Sequence, residues 1–177
     1  MNTPNKITVG RIILVPVFLV LLYLDLPYWA LAVYIIACVS DLIDGRIARK
    51  YNLVTDFGKF RDPLADKRLV LSAMCYFVEV GLMPGWVVAV VLLREFGVSG
   101  LRLLAVEQGI VIAAAWSGKI KTGVTMVALG ILIIATQPWF PAPQVIAVIC
   151  WVLILVTTLY SGIEYFVKNI NVFKHCA

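Results

Sequence analysis

Histidine is almost absent from this 177-residue sequence, and cysteine is sparse. The single histidine, His175, lies in the C-terminal tail, beyond the last apolar segment. The four cysteines have none of the close paired spacings that metal sites and redox motifs require. These absences exclude histidine chemistry within an apolar core and CxxC redox chemistry. They leave carboxylates as the candidate acids and bases.

Charged residues are also scarce, at 14% of the chain, whereas 62% of the residues are hydrophobic. This composition excludes an ordinary soluble domain and predicts an integral membrane protein. A membrane-spanning helix needs about 20 residues. The sequence has six apolar segments, and the helix of the third is predicted to begin before its apolar segment, inside an acidic stretch. We therefore predict an all-α fold, a six-transmembrane-helix bundle that forms a single membrane domain over residues 1–177. The six segments are Ile7–Leu24, Tyr28–Ile47, Leu69–Leu82, Trp86–Leu104, Ile120–Thr136 and Val145–Phe166.

Lysine and arginine are missing from every second predicted connection. The connections over 25–27, 83–85 and 137–144 contain neither residue, which is typical of the outer side of a membrane. Both termini and the acidic stretch are therefore predicted to be cytoplasmic. The net charge of +5 needs no nucleic acid, since basic loops at an anionic leaflet or a site for phosphorylated substrates are sufficient. The inner cations are Lys6, Arg46, Arg49, Lys50, Lys59, Arg61, Lys119, Lys121, Lys168 and Lys174.

Four aspartates in the acidic stretch carry the strongest chemical signal. Asp41 and Asp44 are three residues apart, and Asp62 and Asp66 are four apart, spacings that place each pair on one helix face. Four neighbouring carboxylates repel one another unless cations neutralise them. Oxygen ligands of this kind suit Mg²⁺ or Mn²⁺, and four of them can support two ions.

Small residues accompany these acids. Gly45, Ala48 and Gly58 leave room for a nucleotide close to the backbone, and Arg49 is suited to pair with a diphosphate. The alternative to a metal and nucleotide site is a juxtamembrane loop with many salt bridges, because basic residues alternate with the acids along the stretch. The paired helical spacing favours the metal site over that alternative. The interleaved cations are Arg46, Arg49, Lys50, Lys59, Arg61, Lys67 and Arg68.

The pattern Asp41-x-x-Asp44-Gly45-x-x-Ala48-Arg49, eight residues, then Gly58-x-x-x-Asp62-x-x-x-Asp66 resembles the complete signature of the CDP-alcohol phosphotransferase family. The segments PNKITVGRI, GKFRDPLADK, LREFGVSGLR, GKIKTGVTM and SGIEYF are similar to bacterial phosphatidylglycerophosphate synthases. The resemblance implies transfer of a phosphatidyl group from CDP-diacylglycerol to sn-glycerol 3-phosphate with release of CMP. It also implies a homodimer in the bacterial cytoplasmic membrane.

The resemblance also implies residue roles. Asp41, Asp44, Asp62 and Asp66 would hold the metals, and Asp66 would take the proton from the attacking glycerol hydroxyl. The CDP site would be lined by Gly45, Ala48, Arg49 and Gly58. A direct displacement is preferred, because no Ser, Cys or His is evidently placed as a covalent nucleophile.

A second set of cations follows in the fourth and fifth segments. Arg102, Lys119 and Lys121, together with the intramembrane Arg94, are candidates for binding the acceptor phosphate. The alternative is internal pairing, of Arg94 with Glu95 or another helix's acid and of Arg102 with Glu107 or Glu95. Three positions depart from the synthases, which usually have a large apolar residue there: Gly10, Gly97 and Arg61.

Two other functions stay open. The same chemistry with inositol phosphate, serine or phosphatidylglycerol as acceptor would use the same acidic motif. A divalent-cation transporter would instead need ionisable residues that continue to the outer face, where only Asp25 and Glu79 are acidic. The concentration of acids at one entrance favours an enzyme.

Overall fold

The computed structural model describes residues 14–51, 56–107, 112 and 115–169, with side chains over 14–40, 68–106, 112 and 115–169. Every regular element in these ranges is an α-helix, and they contain no strand, which confirms the all-α prediction. The described helices are α1 (Leu14–Tyr23), α2 (Pro27–Tyr51), α3 (Asp56–Glu79), α4 (Gly85–Glu107), α5 (Trp116–Ala135) and α6 (Pro143–Lys168).

The boundaries of α3 differ most from the apolar segment that predicts it. The helix begins at Asp56, so it starts inside the acidic stretch, as expected. It ends at Glu79 rather than at Leu82, because Gly81 adopts a φ of 75° that a glycine tolerates without a Cβ clash. The amide groups of Leu82 and Met83 then both donate to the carbonyl of Phe77, at 2.9 and 3.0 Å. These bonds satisfy a carbonyl that the helix end leaves without a partner.

Helices α2 and α5 run antiparallel in a fixed register. The Tyr34 hydroxyl donates to the Met126 carbonyl at 3.2 Å. One turn away, a Cβ at Gly130 would lie 3.8 Å from Cδ1 of Leu31, an ordinary contact distance, so the two helices are also neighbours there. Helix α5 also packs against α3 and, most extensively, along α6.

A layer of polar side chains crosses the bundle between two apolar clusters. The larger cluster draws on all six helices and includes Phe18, Phe77 and Leu129. The smaller one contains Val98, Leu101, Ala105 and Tyr165. A set of polar side chains, which we call the polar layer, lies between these clusters along α4, α5 and α6. It consists of Arg94, Glu95, Ser117, Lys121, Thr125, Thr158 and Ser161.

The outer surface of the bundle is apolar. Within the described residues, α5 and α6 are long and apolar enough to cross a membrane. Large apolar side chains on them, including Val127, Val156 and Ile163, are more than half exposed. Soluble monomers rarely present extended apolar surface of this kind. The two long apolar helices and this exposed apolar surface together indicate a membrane protein.

Candidate active site

The four motif aspartates lie on helical backbone on either side of one short connection. Asp41 and Asp44 fall in the last part of α2, and Asp62 and Asp66 in the first half of α3. On a helix, positions three or four apart share a face, so the backbone is compatible with two converging carboxylate pairs. Their side chains fall outside the described residues. The same holds for the predicted nucleotide-binding positions on these helices, Gly45, Ala48, Arg49 and Gly58, and for Arg61.

The register of α2 against α5 relates this motif to the start of α5. Tyr34 pairs with Met126. Asp41 lies seven residues after Tyr34 on α2, and Lys119 lies seven residues before Met126 on α5, which is about two helical turns in each case. Because the helices are antiparallel, the backbone of Asp41 is level with that of Lys119. The acidic end of α2 and the basic beginning of α5 therefore lie at the same end of the bundle.

The charged part of the polar layer is organised around one carboxylate oxygen. Oε1 of Glu95 accepts hydrogen bonds from Nη1 of Arg94 at 2.9 Å and from Nζ of Lys121 at 2.6 Å. The three side chains are only 12%, 16% and 7% exposed for Arg94, Glu95 and Lys121, respectively. The internal pairing of Arg94 with Glu95 is thus present. Glu95 therefore links one cation of α4 with one cation of α5.

Arg94 is held from α6 as well, in a space that Gly162 leaves for it. Its Nη2 donates to Oγ of Ser161 at 2.5 Å. A Cβ at Gly162 would lie 3.2 Å from Cγ of Arg94, and one at Gly118 would lie 3.7 Å from its Nη2. Among the described residues, the buried Nε of Arg94 has no hydrogen-bond partner, so the guanidinium retains donor capacity.

The other two predicted phosphate-binding cations each lie against an aromatic ring. Nε of Arg102 donates to the hydroxyl of Tyr165 at 2.7 Å, and its Cζ lies 5.3 Å from the centroid of that ring. Nζ of Lys119 lies 4.9 Å from the centroid of the Trp116 ring. The structure therefore joins Arg94 with Lys121 through Glu95, whereas Arg102 and Lys119 have separate partners.

Sequence reasoning missed the contributions of α6 to this site. Ser161 and Tyr165 contact the two α4 arginines, and Gly162 makes room for one of them. The available signal was the dipeptide Ser161-Gly162 inside an otherwise apolar segment, repeated on α5 as Ser117-Gly118. Small residues allow helices to approach closely within a membrane, and serine supplies a hydrogen bond there.

The sequence matches known proteins along nearly its whole length. Residues 1–160 match the family model described as CDP-alcohol phosphatidyltransferase. The CDP-diacylglycerol–glycerol-3-phosphate 3-phosphatidyltransferase of Bacillus subtilis is 41% identical over 192 aligned positions, covering 98% of this chain and 97% of that protein. A probable phosphatidylglycerophosphate synthase of Mycobacterium tuberculosis is 37% identical, covering 96% and 82%. The CDP-diacylglycerol–glycerol-3-phosphate 3-phosphatidyltransferase of Escherichia coli is 36% identical, covering 93% and 92%.

Proposed function

Since this chain belongs to the CDP-alcohol phosphatidyltransferase family, we propose that it transfers the phosphatidyl group from CDP-diacylglycerol to sn-glycerol 3-phosphate. The products are phosphatidylglycerophosphate and CMP. The observation that carries the proposal is the complete aspartate motif on the helical backbone of α2 and α3. Relatives named for this reaction support it over nearly the whole chain.

The donor half of the proposed site is the aspartate motif. Four carboxylates at helical spacing form a donor set that fits a hard divalent cation, so we infer that Asp41, Asp44, Asp62 and Asp66 hold Mg²⁺ or Mn²⁺, with two ions as in other phosphoryl-transfer sites. Such ions, when bound, withdraw charge from a diphosphate. The nucleotide would lie against Gly45, Ala48, Arg49 and Gly58.

Asp66 is our proposed general base. A hydroxyl oxygen of glycerol 3-phosphate attacks the phosphorus that carries the diacylglycerol, and the bond from that phosphorus to the CMP oxygen breaks. The hydroxyl proton passes to the Asp66 carboxylate, which must lie within hydrogen-bond reach of it. Positioning and charge stabilisation, rather than a covalent intermediate, then supply most of the rate.

The acceptor half of the proposed site is basic. Arg94 and Lys121, which both contact Glu95, supply two cations that can attract a phosphate dianion. Among the described residues, the buried Nε of Arg94 has no hydrogen-bond partner, which leaves Arg94 one donor that its present contacts do not use. Arg102 and Lys119 add two further cations on α4 and α5. An acceptor without a phosphate would lose these charge-assisted bonds.

We further infer that the chain forms one membrane domain over residues 1–177 with six spans and both termini in the cytoplasm. The absence of lysine and arginine from the predicted outer connections supports this orientation. The bacterial relatives support the cytoplasmic membrane as its location. Homodimerisation is proposed on the family resemblance.

The proposal is tested by incubating purified protein with CDP-diacylglycerol, Mg²⁺ and one acceptor at a time, while CMP and lipid product are measured. The panel is glycerol 3-phosphate, glycerol, serine, inositol phosphate and phosphatidylglycerol. We expect CMP release that requires the metal and is fastest with glycerol 3-phosphate. A preference for serine or inositol phosphate would reject the acceptor, and no release with any of them would reject the enzyme.

The Asp66→Asn variant tests the proposed base. We expect turnover to fall by at least about 100-fold, because general base catalysis contributes about 10² to 10⁴ in rate, while thermal stability stays near that of the unchanged protein. The control is Asp25→Asn, the same substitution at the turn between α1 and α2. Activity of Asp66→Asn close to that of the control would remove Asp66 from this role.

A further inference from the structure

Helix α6 contributes two hydroxyl groups to the arginines of α4, and neither has a role in the reaction described so far. Ser161 accepts from Arg94 at 2.5 Å, and Tyr165, one turn further along, accepts from Arg102 at 2.7 Å. We propose that Ser161 and Tyr165 are positioning residues that fix these two arginines for the acceptor phosphate. The inference rests on the proposed function, because it takes Arg94 and Arg102 as phosphate-binding groups.

Tyr165 is a rigid anchor for Arg102. Its side chain is 3% exposed and packs with Val98, Leu101 and Ala105 in the smaller apolar cluster. Arg102 itself is exposed, and its guanidinium is held both through Nε and by the face of the tyrosine ring. An arginine held at Nε keeps its two terminal nitrogens for a bidentate contact with a phosphate.

Ser161 holds Arg94 more tightly still. The serine is 1% exposed. A Cβ at Gly118 would lie 3.9 Å from its Oγ and 3.7 Å from Nη2 of Arg94. The backbone of α5 therefore lies next to the hydrogen bond between Arg94 and Ser161. The Cγ of Arg94 lies close to Gly162 on the same turn of α6 as Ser161. Arg94 is therefore confined along its length by α6.

These contacts matter for acceptor binding because a free arginine must lose rotamer freedom when it grips a ligand. An arginine that the protein has already ordered does not incur that loss at binding. The hydroxyls should therefore affect the KM for glycerol 3-phosphate. They should leave the KM for CDP-diacylglycerol unchanged, because the donor is assigned to the motif on α2 and α3.

Tyr165→Phe tests the anchor, because it keeps the ring and its packing and removes only the hydroxyl. We expect the KM for glycerol 3-phosphate to rise about 10-fold, the range for a hydrogen bond to a charged group. The kcat and the KM for CDP-diacylglycerol should change less than about twofold on the same argument. Ser161→Ala should act in the same direction.

Tyr76→Phe is the matched control. Tyr76 is 6% exposed, and its hydroxyl donates to the carbonyl of Leu22 at 3.3 Å, near the opposite end of α3 from the motif. This variant also removes a single buried hydroxyl and should leave both KM values unchanged. If it raises the KM for glycerol 3-phosphate as Tyr165→Phe does, the positioning role is rejected.

A double-variant cycle with Arg102→Lys separates positioning from general stability. If Tyr165 acts through Arg102, adding Tyr165→Phe to Arg102→Lys raises the KM no further. The inference would be overturned if the two substitutions raised the KM for glycerol 3-phosphate by independent factors that multiply. It would also be overturned if Tyr165→Phe raised the KM for both substrates equally and lowered thermal stability. An unchanged KM in both Tyr165→Phe and Ser161→Ala, with normal wild-type turnover, would also overturn it and leave the proposed function intact. Absence of turnover with glycerol 3-phosphate in the wild type would instead reject the proposed function, and this inference with it.

Discussion

The carboxylate of Glu95 holds two cations of the bundle interior on a single oxygen atom. Arg94 comes from the same helix and Lys121 from α5, so the bond network ties α4 to α5. The sequence suggested the first pairing, because the two residues are adjacent. It did not predict the second, since Glu95 and Lys121 are 26 positions apart and the connection between them follows a path that no local pattern specifies.

We expect Glu95→Gln to lower the free energy of unfolding by about 3 kcal/mol. Breaking a buried ion pair is strongly destabilising, and this substitution removes the negative charge that both Arg94 and Lys121 contact. Unfolding of the detergent-solubilised protein by heat or denaturant measures the effect.

The control for that variant is Glu164→Gln, which alters the exposed pair of Glu164 with Lys168 on α6. Exposed ion pairs contribute little to stability, so this change should be nearly silent. Equal stability of the two variants would contradict the structural role of Glu95.

At the scale of the helices, α4 and α6 approach through a position without a side chain. A Cβ at Gly97 would lie only 3.1 Å from Cζ of Phe166, so this glycine allows the two helices to approach closely. Towards the opposite ends, the rings of Trp86 and Trp151 meet edge to face with centroids 5.8 Å apart. Because the earlier residue of α4 meets the earlier residue of α6, the two helices run in the same direction.

Gly97→Leu should destabilise the protein by about 1–3 kcal/mol, the range for overpacking. Phe166→Ala in the same chain should restore most of that loss by removing the opposing ring. The control is Gly100→Leu on the same helix, where a Cβ would meet nothing within 4 Å. If the two leucine variants have the same stability, the close contact with Phe166 does not limit packing.

Hydropathy predicted the helices well and their ends less well. The described helices α4, α5 and α6 are longer than the predicted segments by a few residues at most ends. The predicted segments end where the apolar residues end, whereas a helix ends where its backbone hydrogen bonds end. For α3 the helical spacing of Asp62 and Asp66 indicated a start that hydropathy could not, since the first turns of that helix are charged. The end of α3 depends on the conformation of Gly81, which composition does not reveal.

At the scale of the whole molecule, α5 connects the two halves of the proposed site. It packs against α2, which carries two of the motif aspartates, and along α6, which holds the α4 arginines. The sequence alone predicted both groups of residues. It could not predict their relative level in the bundle, which depends on the contact between Tyr34 and Met126.

The proposed orientation predicts opposite labelling of two engineered cysteines. With the native cysteines replaced, Gln144→Cys at the start of α6 should react with a membrane-impermeant maleimide in intact cells. Lys168→Cys at the end of the same helix should react only after the membrane is opened. Both positions are exposed in the structure, so access to the reagent is the only difference tested. Labelling of Lys168→Cys alone in intact cells would invert the orientation, and labelling of both would reject a spanning α6.

The polar layer has a consequence for how such enzymes diverge. Its charged and hydroxyl groups all come from α4, α5 and α6, whereas the aspartate motif belongs entirely to α2 and α3. In the proposed assignment, the donor and acceptor residues therefore lie on separate, contiguous stretches of the chain. We therefore expect that exchanging the C-terminal half between relatives with different acceptors transfers the acceptor preference, provided that the contact surface of α5 on α2 is retained.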